Sequence, residues 1–111
     1  MAKIWNILNQ EAVLPVHFFV RFDPSADKAA EFREELLRVV EPTRAEAGCH
    51  SIRIFESLQE PIAFTIHSEW ADEAAFEMHA SLPHTVRFIA AAERLLAAPI
   101  RGLRAREISS H

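Results

Sequence analysis

Apolar and polar residues alternate in three stretches of the chain and recur at helical spacing between them. The first alternating run, Val16-His17-Phe18-Phe19-Val20-Arg21-Phe22, follows Pro15. Phe18, Val20 and Phe22 share one face; His17, Phe19 and Arg21 share the other. Asp23-Pro24-Ser25 reads as a turn. From about Ala26 to Ala47, Phe32, Leu36, Val39 and Val40 form one stripe, with Lys28, Glu31, Glu34, Glu35 and Arg38 on the solvated side. Ser25 or Asp27 is the expected N-cap. Pro42 predicts a kink or fresh turn, and Gly48 a left-handed stop.

Two further runs, Cys49–Ser57 and Ile62–Trp70, are joined by the turn Leu58-Gln59-Glu60-Pro61 and predict an antiparallel hairpin. In the second, Phe64, Ile66, Ser68 and Trp70 oppose Thr65, His67 and Glu69. Asp72 is placed to cap a short helix carrying Ala75, Phe76 and His79 on one side. Ser81-Leu82-Pro83 breaks it, and Pro83 suits the first turn of another helix. That helix is expected to turn Val86, Ile89 or Ala90, and Leu95 or Leu96 inward. Ile100–Ile108 reads as a last strand, at an edge or a subunit contact.

Strand, helix, strand, strand, helices, strand is the βαββαβ order of an α+β, ferredoxin-like antiparallel sheet with helices on one face. Phe19 and Phe55 fall on the face away from the helices. A homodimer joined through its sheet faces would cover them. The domain spans 15–111. Residues 1–14 read as an N-terminal arm, where Ile4, Trp5, Ile7 and Leu8 recur at helical spacing and predict docking on the domain or a partner subunit.

Composition narrows the function. With 12 basic against 16 acidic residues the formal charge is −4, and no basic stripe is evident, so nucleic acid is not the expected partner. No apolar run approaches the ~20 residues that cross a bilayer, and no secretory leader is apparent. A cytoplasmic location with no membrane partner is expected. The single cysteine, Cys49, cannot form an internal disulfide and reads as a buried strand residue. Only Gly48 and Gly102 are present, so no glycine-rich nucleotide or flavin loop is available.

The run Glu41-Pro42-Thr43-Arg44-Ala45-Glu46-Ala47-Gly48-Cys49 resembles a segment of the antibiotic biosynthesis monooxygenase (ABM) domain family. So does Glu69-Trp70-Ala71-Asp72-Glu73-Ala74-Ala75, followed by His79, Ser81, Pro83-His84 and Phe88. Val20-Arg21-Phe22 and Phe32 fit the same pattern, and the resemblance spans about Val16 to Ile108. It implies a dimeric α/β barrel with a pocket between sheet and helices in each subunit. It also implies cofactor-independent monooxygenase chemistry on quinols and polycyclic phenols. Relatives on the fold include haem-degrading enzymes and an isomerase of a signalling sugar phosphate. The chain departs from the pattern at three points, of which the second changes only turn chemistry. Val20 stands where haem degraders carry an essential asparagine, Ala26-Asp27 replaces a Pro-Gly, and the chain has no tyrosine.

Dioxygen is a triplet, and without metal or flavin it reacts only with a substrate that readily gives up an electron. A deprotonated quinol or anthrone is one. The protein must then supply a dry pocket, a base and a donor for the anion. His79 and His84 are the candidate acid/base or anion-holding groups, histidine being the side chain that titrates near neutral pH. Trp70, Phe18, Phe22, Phe64 and Phe88 are expected walls around a small aromatic ligand, with Phe76, and Ser68 is expected to orient a substrate oxygen. No cofactor is expected. Nor is a metal site, since His79 and His84 show no ligand-type spacing. His17, His50 and His67 are expected away from the pocket. Two alternatives use the same groups: isomerisation of a small carbonyl compound, and a non-catalytic dimeric ligand-binding or stress protein.

Overall fold

The computed structural model describes residues 14–109; the proposed docking arm lies outside them, apart from Leu14. Four strands, β1 (Val16–Phe22), β2 (Cys49–Glu56), β3 (Phe64–Trp70) and β4 (Arg101–Ala105), form one antiparallel sheet in the order β2-β3-β1-β4. Three α-helices, α1 (Ala29–Arg44), α2 (Glu73–Ala80) and α3 (Pro83–Leu95), complete the expected α+β, ferredoxin-like fold.

The alternation of β1 and β3 holds residue for residue. Phe18 pairs with Ser68, Val20 with Ile66 and Phe22 with Phe64 on the helix side; His17, Phe19 and Arg21 pair with Glu69, His67 and Thr65 on the other. In β2 a bulge interrupts the period. Cys49 opposes Trp70 and Ser51 opposes Glu69, which leaves His50 as the extra residue. Cys49 and Ile52 therefore both face inward although three apart, and His50 turns outward to bond Glu69 at 3.0 Å.

The main core joins Phe22, Phe64, Ile52 and Ile66 from the sheet to Phe32, Leu36, Val39 and Val40 from α1 and Phe88, Ala92 and Leu95 from α3. Val16, Phe18 and Trp70 form a second cluster, against which Phe76 packs. In α3 the inward stripe is Thr85, Phe88, Ala91, Ala92 and Leu95; Val86, Ile89 and Ala90 are exposed, against expectation. The bulk of Phe88, edge-on to Phe22, fixes the helix's rotation. Glu35 is another correction. It is buried between α1 and α3 and accepts from Arg87 at 3.1 Å.

Three terminal signals act differently from their sequence reading. A short 3-10 turn, Ala26–Lys28, precedes α1 with no side-chain cap from Ser25 or Asp27. The helix then runs through Pro42, whose missing N–H falls in its last turn. Gly48 has no positive φ. A side chain there would collide with the Cβ of Ala75, so glycine is required by the close approach of the α1–β2 turn to α2.

Candidate active site

Asp72 caps α2 by accepting from the Ala75 N–H at 2.8 Å. The helix lasts two turns. It stops where the Ser81 and Leu82 N–H groups bond back to Met78 and His79, and Pro83 starts α3 immediately. This break sets His79 at the end of one helix and His84 in the first turn of the next, with ring centroids 6.0 Å apart.

Between them lies a residue the sequence reading passed over. One carboxylate oxygen of Glu46, Oε2, lies 2.7 Å from His79 Nδ1 and 2.7 Å from His84 Nε2. All three side chains are largely buried, Glu46 being 11% exposed and His79 14%. Glu46 sits in the turn just beyond α1, held by its N–H on the Thr43 carbonyl and its carbonyl on the Cys49 N–H. A carboxylate at a helix C-terminus opposes the helix dipole. That misplaced charge, two residues before Gly48, was the signal available in the sequence.

The arrangement fixes a tautomer. An ionised carboxylate only accepts, so the two imidazole nitrogens facing it carry hydrogens. Thr85 Oγ1 lies 3.2 Å from the same His79 Nδ1. His79 Nε2 is then left with a lone pair and no partner among the described residues. The ring rests against Trp70, centroids 4.7 Å apart, and near Phe76.

His79 borders a cavity of about 210 Å³ between sheet and helices. Val20, Phe22, Ile52, Ile66, Trp70, Phe76 and Phe88 give it apolar walls, with Val39, Ile89 and Ile100; Thr43, Ser68 and Thr85 are its other polar side chains. Trp70 is fully buried and donates its indole N–H to Ser68 Oγ at 2.9 Å. Of the expected walls, Trp70, Ser68, Phe22 and Phe88 are present. Phe18 is not: it stacks on Phe76, centroids 3.6 Å apart, behind the wall. Phe64 is drawn into the core beside Phe32. His84 meets Glu46 but does not line the cavity. His17 and His67 lie on the far sheet face, 2.9 Å apart, and His50 points outward with them.

Cys49 faces inward beside Trp70, and burial pushes its thiol pKa up, with the Glu46 charge adding to the effect. A raised pKa disfavours the thiolate and hence nucleophilic use. Glu46, His79 and His84 offer one ligand atom each within 4.8 Å of one another, so these three could hold a metal ion. Folding brings them together without any local spacing, which is why sequence spacing gave no hint of the set.

Residues 15–91, most of the chain, match the family described as antibiotic biosynthesis monooxygenase. The chain belongs to that family. Among its relatives is "Putative monooxygenase YcnE" of Bacillus subtilis (strain 168), 35% identical over 74 residues, 67% of this chain and 78% of that one. Another is "Putative monooxygenase Rv0793" of Mycobacterium tuberculosis (strain ATCC 25618 / H37Rv), 30% identical over 86 residues, 78% of this chain and 84% of that one. The solved structure of Rv0793 superposes with a TM-score of 0.81 at 27% identity, covering 86% of this chain and 97% of that one. PA3566 from Pseudomonas aeruginosa gives 0.81 at 26% identity, covering 88% and 98%. The family shares the sheet and helices that enclose the cavity; the chemistry inside has to be argued from the side chains. Among the described residues, no helix is long and apolar enough to cross a membrane.

Proposed function

We propose that the protein is a monooxygenase that oxidises a small quinol or aromatic phenol with dioxygen, using its own side chains and no cofactor. One observation carries the reading: His79, backed by the buried Glu46 carboxylate, borders an apolar cavity with one imidazole nitrogen free. The cavity's size suits one or two aromatic rings, since an engineered protein cavity of about 150 Å³ takes up benzene.

In this scheme His79 Nε2 accepts the phenolic proton, and Glu46 stabilises the imidazolium. The quinol anion passes one electron to dioxygen, and the two radicals combine at a ring carbon to give a peroxide. Imidazolium returns its proton to the outer oxygen, the O–O bond breaks, and water leaves as the ring carbon loses its own hydrogen. The sum is quinol plus dioxygen giving hydroxyquinone plus water. The substrate supplies all four electrons, so no external reductant is required. The apolar walls exclude water from the anion.

A second copy of the chain is the proposed partner. On the sheet face away from the helices, Phe19, Phe55 and Leu103 are exposed, the last two by 54% and 60%. Apolar groups gathered on one face of a sheet favour a two-fold, face-to-face dimer. Light scattering tests this: a monomer at micromolar concentration would remove the dimer.

The reaction is tested by supplying a naphthohydroquinone and isotopically labelled dioxygen. One labelled oxygen in the hydroxyquinone, formed faster than without protein, supports the reading. Binding without label transfer would favour the ligand-binding alternative. Proton exchange on a small carbonyl compound, without oxygen uptake, would favour the isomerase, which needs only the same Glu46–His79 pair.

A further inference from the structure

Thr43 lies in the last turn of α1, is fully buried, and lines the cavity. Its hydroxyl is the only buried side-chain polar atom among the described residues with no hydrogen-bond partner. Buried hydroxyls are ordinarily paired, and a threonine in a helix usually bonds a carbonyl of the preceding turn. Thr43 forgoes that bond although it belongs to the cavity wall. Ser68 is in a related state. Its oxygen accepts from Trp70, yet its own hydrogen has no acceptor among the described residues, and it too is buried on the cavity wall. Both hydroxyls belong to residues of a cavity wall whose other polar side chains are His79 and Thr85, already in contact with each other.

We infer that Thr43, assisted by Ser68, determines specificity by donating to a second oxygen of the ligand, distinct from the one whose proton His79 takes. The ligand class is then an aromatic bearing two oxygen functions, a hydroquinone or a phenol with a ring carbonyl, rather than a simple phenol. The inference rests on reading this cavity as the reaction site. Its chemistry is complementary: His79 Nε2 is an acceptor and takes the O–H, whereas the hydroxyls are donors and hold the oxygen on which charge gathers after deprotonation.

The test is the isosteric Thr43→Val, which removes the hydroxyl and keeps the shape. If Thr43 has no protein partner, the free variant melts at the same temperature as wild type or higher. Binding is measured anaerobically by calorimetry with naphthohydroquinone and naphthol. Wild type is expected to prefer the two-oxygen probe by about tenfold, the worth of one hydrogen bond to a charge-bearing oxygen, and Thr43→Val to lose that preference. A lower melting temperature, an undiminished preference, or no binding of either probe to wild type would overturn the inference. Preference without oxygen uptake would instead sink the monooxygenase reading and leave the Thr43 assignment standing. Turnover with an unchanged preference in Thr43→Val would do the reverse.

Discussion

The carboxylate of Glu46 and the imidazole of His79, 33 positions apart in sequence, meet at 2.7 Å beside the apolar cavity. This contact turns a histidine that could be mere packing into an oriented base, because it fixes which nitrogen keeps its hydrogen. Replacing Glu46 with glutamine preserves an acceptor and removes the charge. A hydrogen bond to an ionised group contributes about 1.5–3 kcal/mol, so kcat for quinol oxidation should fall at least about tenfold in Glu46→Gln. Dialysis against a chelator separates the proton role from a metal role for the same groups. The rate is expected to survive it; a loss restored by a divalent ion would reassign Glu46, His79 and His84 as ligands.

Ser68 is predicted to matter for stability as well as for the ligand. It is the acceptor for the buried indole N–H of Trp70. Ser68→Ala strands that donor, at a cost of about 1–3 kcal/mol in urea unfolding. A change within error would mean that water takes its place.

Gly48 is predicted to be irreplaceable for steric rather than conformational reasons. Gly48→Ala should destabilise by about 1–3 kcal/mol through overpacking against Ala75. The double variant Gly48→Ala with Ala75→Gly should recover much of that loss relative to Ala75→Gly alone. Additive effects would show that the two positions do not touch.

A pH dependence is predicted from the far sheet face. The His67 pKa is lowered, first by burial and then by the neighbouring His17 and Arg53, opposed by the more favourable charges of Glu69 and Glu107. A histidine whose folded pKa lies below its unfolded value binds more protons when unfolded. Its stabilising contribution is present above the unfolded pKa, near 6.5, and is lost as pH falls toward the lower folded value. Thermal stability should therefore decline below about pH 6.5, and the decline should be shallower in His67→Gln. An identical slope would assign the effect elsewhere.

Much of the fold was legible because two faces of the sheet differ so plainly in polarity. Phe18, Val20 and Phe22 could be placed without coordinates, and so could the Asp72 cap and the Pro83 restart. The misreadings arose where tertiary contact overrides local pattern. Glu35 is buried because Arg87 arrives from α3. Val86 yields the core to Phe88. His79, Trp70 and Ser68 were readable as neighbours because they flank one strand–helix corner. Thr43 was not, and Glu46 stood out only as an acidic residue at a helix C-terminus, since their roles exist only once the end of α1 is laid over that corner.

His79→Gln bears most directly on the central claim. The initial rate of oxygen consumption with naphthohydroquinone should drop by about 10²–10⁴-fold, the usual contribution of a positioned base, while the variant still binds the probe. Glutamine is preferred to alanine because it keeps a polar group beside the buried Glu46 carboxylate. An oxygen uptake rate equal to wild type, in a folded variant, would contradict the account.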